Sequence, residues 1–254
     1  MIAVTKSGKT GLLLCKKNMI PISQQTLASI VKNNHHTVPV LEKYDLDFCC
    51  KGKRLLADAC NEKGLAAAFI IKELETVMAA PAGKTMPFTE MTAEQLIGHI
   101  LIQHHFYVKQ SMPVIDMHLE KVVFKHGDHF PYMKEVYQLF LVIKEEMGSH
   151  MQKEELVLFP RIKELEKLQS DQSLSQLSKN FINDPIAVME SEHEHAGDTL
   201  FKIRALTNNY TAPDGACTTF KVSLAELKEF EEDLHQHVHL ENNILFPKAQ
   251  LMMA

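Results

Sequence analysis

Two segments of this chain repeat each other without a gap: His150 to Arg161 reads HMQKEELVLFPR, and His237 to Lys248 reads HVHLENNILFPK. Each is a His, three residues, a Glu, three residues, then Leu-Phe-Pro and a base. On a helix, residues four apart lie on one face a turn apart, so each copy offers an imidazole and a carboxylate to the same point. One such pair alone is commonly a surface ion pair. Here the pair occurs twice, and a lone His precedes each copy at nearly the same distance: His105 stands 45 residues before His150, and His193 stands 44 before His237. Spacing alone leaves His104 open as the alternative to His105. The pattern describes two halves arranged about a pseudo-twofold centre. Four imidazoles and two carboxylates exceed the four ligands of a closed zinc site. Nitrogen and carboxylate donors between helices instead suit a dinuclear iron or manganese site, with Glu154 and Glu241 as bridges.

The chain around these donors is expected to be all-α. Few β-type alternating runs occur, ten Gly and ten Pro punctuate 254 residues, and the apolar periodicity is helical. Residues 20–79 read as a small helical domain, with a helix over Ser23 to Lys32, a turn at Val38-Pro39-Val40, the DFCC segment, and helices from Lys53 to Met78. Two Pro and one Gly mark residues 80–91 as a linker. Residues 92–254 then form an up-and-down four-helix bundle. Its first helix opens on a Thr92 to Gln95 capping box and runs through His105 toward Gln110. The second covers Tyr132 to Phe159, the third Pro185 to Thr207, and the fourth Ala216 to Phe246. Pro160 and Pro247 are expected to kink or end their helices.

Composition narrows the function. Lys plus Arg total 27 and Asp plus Glu 32, a net charge of −5, which argues against nucleic-acid binding. The longest apolar runs fall far short of a membrane span. Five Cys suit a reducing cytoplasm better than a disulfide framework. Residues 1–19 carry four Lys and only a short apolar run, and read as a disordered extension or as sequence upstream of a working start at Met19.

Of the other His, those at 195, 235 and 239 fall on the faces turned away from the centre. His99 is a core or supporting group, and His35, His36, His118, His126 and His129 are expected in solvated positions, the last three in or near the loop after the first bundle helix. Glu146, one turn before His150, and Glu192, beside His193, are carboxylates placed to orient a ligand or relay protons. Cys49 and Cys50 are adjacent, so they cannot form a Cys-x-x-Cys redox turn. Lys51, Lys53 and Arg54 nearby are expected to lower a thiol pKa, making the pair a soft donor that accepts, hands over or senses iron or nitric oxide. Cys15, Cys60 and Cys217 read as incidental.

The YDLDFCC segment (Tyr44 to Cys50), VMESEH (Val188 to His193) and the two HxxxE…LFP copies together resemble the Repair of Iron Centres family, hemerythrin-like proteins with an N-terminal Cys-Cys domain. The match runs from about Ile22 to Leu251. The resemblance implies two non-haem irons per chain, oxo- and carboxylate-bridged, on His105, His150, Glu154, His193, His237 and Glu241, and it selects His105 over His104. It implies repair of iron-sulfur clusters damaged by nitric oxide or oxidants, with iron donated to damaged client proteins. Nitric oxide reduction, or sensing of nitric oxide or oxygen, at the same centre is the alternative, and a homodimer is compatible. The ligand set differs from the five His, one Glu and one Asp of oxygen-carrying hemerythrins, so oxygen carriage is not implied. One departure is visible: the family's Cys-Cys-Gly-Gly turn reads Cys49-Cys50-Lys51-Gly52 here, with a Lys that restricts the turn and adds charge beside the thiols.

Overall fold

A computed structural model describes residues 20–79, 87–170 and 180–253. The expected N-terminal extension at 1–19 and most of the linker at 80–91 lie outside them. The described residues are helical, with one isolated antiparallel bridge between Thr26 and Leu55. None of their helices is long and apolar enough to cross a membrane.

The N-terminal lobe contains four short helices, α1 (Leu27–Asn33), α2 (Val38–Lys43), α3 (Leu56–Glu62) and α4 (Ala67–Met78). Thr26 caps α1 by accepting from the Ser29 amide. Residues 38–40 are the first turn of α2 rather than a free turn, because Pro39 falls at a helix start, where its missing N–H costs nothing.

Four long helices follow. Helix α5 spans 93–126, α6 spans 132–170, α7 is Asn180–Leu206, and α8 spans 218–252. The Thr92 capping box is formed in both directions, opening α5. Helix α5 packs on α6 and α8, and α6 on α7. These are the neighbours of an up-and-down bundle.

The helices run further than expected, for two reasons. Helix α5 continues past Pro113 to His126, since Ile115, Leu119 and Val122 are buried and hold it in the core. His118 is therefore on a helix, with Nδ1 2.7 Å from Glu226, and not in a loop. Helices α6 and α8 pass their Phe-Pro pairs through π-turns at Glu154–Leu158 and Glu241–Leu245. In each, the Phe amide donates to the carbonyl of the Glu five residues back. The wider turn relieves the clash a Pro ring would meet in a regular helix. A third π-turn lies in α5 at Leu101–His105. All three contain a member of the expected ligand set.

Two apolar clusters fill the bundle. One contains Val108, Met147, Ala196 and Leu234 and continues into the N-terminal lobe through Phe48, Leu27 and Leu41. The other contains Ile100, Leu158, Met189 and Ile244. On every bundle helix the expected ligands fall between a member of one cluster and a member of the other. The centre is thus a polar layer between two hydrophobic ones.

The lobe docks on the bundle beside that layer. Phe48 is 1% exposed and meets the rings of His235 and His239 edge-on, at 6.2 and 5.6 Å. His235 Nδ1 lies 2.8 Å from Glu42, and Arg204 bridges Asp45 of the lobe and Glu231 of α8. The turn after Phe48 depends on Gly52, where a Cβ would stand 2.2 Å from the Phe48 carbonyl oxygen. Lys51 has no positive φ, so a side chain at this position meets no left-handed backbone.

Candidate metal centre

The six expected ligands meet in the polar layer, each no more than 1% exposed. They form two overlapping groups, His105, His237, Glu154 and Glu241, and His150, His193, Glu154 and Glu241. Each group takes one imidazole from each half of the repeat, so neither half can build a site alone. Both carboxylates are shared. Glu154 Oε2 stands 3.3 Å from Nε2 of His105 and of His150. Glu241 places Oε1 3.0 Å from His237 Nε2 and Oε2 3.2 Å from His193 Nε2.

The donor chemistry fits a pair of cations. His105 and His237 approach Nε2 to Nε2 at 3.1 Å, and His150 and His193 at 3.0 Å. In three of the four rings Nδ1 is already engaged: His105 with Glu155 at 2.8 Å, His150 with Glu192 at 2.9 Å, and His193 with Asn242 at 2.8 Å. An Nδ1–H donating to those oxygens leaves the lone pair of a neutral ring on Nε2. Two such lone pairs do not attract each other across 3 Å, but both can bind a metal. Both oxygens of Glu154 and Oε2 of Glu241 are buried with no hydrogen-bond partner, a costly arrangement unless a cation satisfies them. Burial opposes ionisation of Glu241, yet the imidazoles of His237 and His193 outweigh it and hold the carboxyl well below its usual range. Burial likewise opposes charge on His150, and Glu154 still pushes its pKa up to about 9. Buried negative charge therefore draws positive charge to this point.

The outer contacts follow the repeat. Glu155 and Asn242 each come directly after a bridging Glu, and each takes Nδ1 of the lone His in its own half. Glu155 also accepts from Lys109 at 2.6 Å. Neither was singled out from sequence, although their equivalent positions in the two copies were the available signal. Glu192, which precedes His193, contacts not that ring but His150 Nδ1, and also pairs with Lys153. The equivalent place before His105 is His104, whose ring stacks on His237 at 5.6 Å while its Nδ1 turns to Asp233 at 2.9 Å. Glu146 does not support the centre. Its carboxylate, 44% exposed, pairs with exposed His195 of α7 at 3.3 Å instead of reaching a ligand.

Cys49 and Cys50 lie beside the centre rather than in it. Cys50 Sγ is 3.5 Å from the His193 carbonyl oxygen, and Asn243, next to Asn242, donates to the Cys49 carbonyl at 3.2 Å. A cavity of about 300 Å³ lies among Cys49, Cys50, Glu194 and Asn242. The expected lowering of a thiol pKa fails for Cys49. The contact with the Cys50 thiol, burial and the Asp47 carboxylate all raise it well above its ordinary value. Lys51 points away, 3.9 Å from Asp198. Asp47 Oδ1 accepts from the amides of both Cys at 3.0 Å, and Asp47 with the two thiols forms a third group of potential metal donors.

Comparison with known proteins agrees with this architecture. Residues 96–249 match the hemerythrin HHE cation binding domain, and residues 23–78 match a domain of unknown function, DUF542. The iron-sulfur cluster repair protein YtfE of Escherichia coli O81 (strain ED1a) is 35% identical over 225 residues, 89% of this chain and 96% of that protein. The protein of the same name from Escherichia fergusonii matches over the same shares. The chain belongs to the Repair of Iron Centres family. Its hemerythrin-like domain implies non-haem iron binding, and the four motifs read from the sequence fall within the two matched domains.

Proposed function

We propose that this chain binds two irons through His105, His150, Glu154, His193, His237 and Glu241, and gives up iron to restore iron-sulfur clusters damaged by nitric oxide or oxidants. The observation that carries the reading is the donor set beside the Cys pair: imidazoles and carboxylates alone in the centre, with two thiols docked at the His193 end. Bound there, the iron pair supplies exchangeable, redox-active cations with positions left over for small ligands. The chain's own residues do the rest. Glu154 and Glu241 each hold two positions together, so protonating or moving one carboxylate loosens both. Glu155 and Glu192 orient His105 and His150, while Lys109 and Lys153 keep those outer carboxylates charged. The absence of a thiolate from the centre leaves no soft ligand to retain iron against a client's sulfur. Cys49 and Cys50 offer such a ligand across the adjoining cavity, and Asn243 ties their backbone to the helix that carries Glu241.

The test uses protein loaded with ⁵⁷Fe and a client whose cluster has been damaged by nitric oxide. The expected result is ⁵⁷Fe in the restored cluster, with transfer lost in Cys49→Ser and Cys50→Ser although both variants still bind iron. Restoration without ⁵⁷Fe in the cluster would contradict donation. Consumption of nitric oxide over many turnovers with all iron retained would favour a reductase instead.

A further inference from the structure

A second cavity opens on the other side of the centre. About 430 Å³ in volume, it lies between the lobe and the bundle, with His35 and His36 from the lobe and His99, His104, Asp233 and His239 from α5 and α8 in its wall. Five imidazoles around one carboxylate is an unusual lining for a cavity that the centre's ligands do not use. Two polar atoms of this wall are buried and unsatisfied: Asp233 Oδ2, and Nε2 of His239, a residue only 3% exposed. The Nδ1 edge of His239 is turned the other way, toward Asn243 and the Phe48 carbonyl. Asp233 is the one acid of this wall, and Lys32, exposed at its rim, is the one Lys or Arg. Burial lowers the pKa values of His35 and His99, so those rings present lone pairs rather than positive charge. An acceptor carboxylate among these imidazoles suits a cation and not an anion.

We propose that this cavity holds one hydrated divalent first-row cation, drawn by Asp233 and surrounded by His99, His104 and His239. The wall donors are not gathered tightly enough to close a shell on a bare ion, unlike the groups at the centre and at the Cys pair. The volume agrees: an ion with six waters needs about 200 Å³, taking roughly 30 Å³ per water. The ion therefore keeps most of its water and exchanges readily. It sits one ring from the centre, since His104 stacks on His237 within 6° of parallel. In the repeat, His104 occupies the place of Glu192, but where Glu192 pairs with Lys153, His104 turns its Nδ1 to Asp233. This assignment does not depend on whether the centre donates its iron.

Manganese(II) is the probe, titrated into the iron-loaded full-length chain. Free manganese is read by electron paramagnetic resonance and retained water by proton relaxation. The expected result is one manganese per chain with iron content unchanged and water relaxation enhanced. Asp233→Asn and His99→Ala should each weaken that binding at least tenfold, and His99→Ala should do so while retaining wild-type iron. A manganese anomalous peak in a crystal should fall in the cavity. If Asp233→Asn lowers the folded fraction, the half-buried position of His99 keeps His99→Ala as the decisive variant. No retention at about 1 mM free manganese, a dissociation constant beyond the weak end of specific binding, would overturn the proposal. So would manganese that enters only by displacing iron, or binding that both variants leave unchanged.

Discussion

Replacing Glu155 by Gln isolates what an outer carboxylate does for the centre. Glu155 Oε1 accepts from His105 Nδ1 at 2.8 Å and from Lys109 at 2.6 Å, with the side chain 27% exposed. Gln keeps the shape and an acceptor oxygen but removes the charge that makes His105 a stronger donor. Outer partners of metal-bound His are worth about 10–100-fold in affinity. Because the hydrogen bond survives, the low end applies, about tenfold or about 1.4 kcal/mol. The repeat contains its own control: Asn242 is the neutral counterpart of Glu155, so Glu155→Gln makes the first half resemble the second. Iron release to a ferrous chelator under reducing conditions is the assay. One of two release phases should accelerate about tenfold in Glu155→Gln, and Glu192→Gln, acting through His150, should accelerate the other. Unchanged release, or both phases accelerated equally by each variant, would refute the assignment of one outer carboxylate to each metal position.

Two further outcomes concern the scaffold. Phe48→Ala removes a ring that is 1% exposed where lobe and bundle meet, and should destabilise the protein by about 3–5 kcal/mol in urea unfolding. A loss below about 1 kcal/mol would show that the interface collapses onto the gap. At the opposite end of α5, burial disfavours the Asp116 carboxylate, but hydrogen bonds from Lys144 and Tyr137 prevail and hold its pKa below the ordinary value. Its stabilisation is therefore present above about pH 4 and lost as the pH falls through the lowered value. The stability difference between wild type and Asp116→Asn should be constant from about pH 5 to 7 and shrink below about pH 4. A difference that grows on acidification would reverse the sign of this argument.

Four of the six donors were legible because a local rule places them, whereas spacing left His104 open beside His105. A His and a Glu four apart must share a helical face, and the second copy repeats that constraint. What spacing does not encode is how the halves interlock. His105 stands opposite His237 and His150 opposite His193, a pairing set by α5 packing on α8 and α6 on α7. Of the two outcomes expected at Pro160 and Pro247, a kink or an end, the helices do not end there: a Pro forbids a regular turn but not a π-turn, and the π-turn's bond comes from the preceding Phe. Glu146 failed for a related reason: one turn from a ligand is near in sequence, yet its side chain meets whatever the neighbouring helix offers, here His195. The raised pKa of Cys49 depends on its contact with the Cys50 thiol, on burial and on Asp47, which the three nearby basic residues did not reveal. The cavity around Asp233 joins residues from three separate elements and had no sequence signature.

The most direct measurement of the central claim is iron content with Mössbauer spectra on aerobically purified protein, comparing wild type with Glu154→Ala and Glu241→Ala. The account predicts two irons per chain with the signature of a bridged ferric pair, and loss of that pair in both variants because each carboxylate serves both positions. One iron per chain, zinc alone, or a pair that persists in either variant would contradict it.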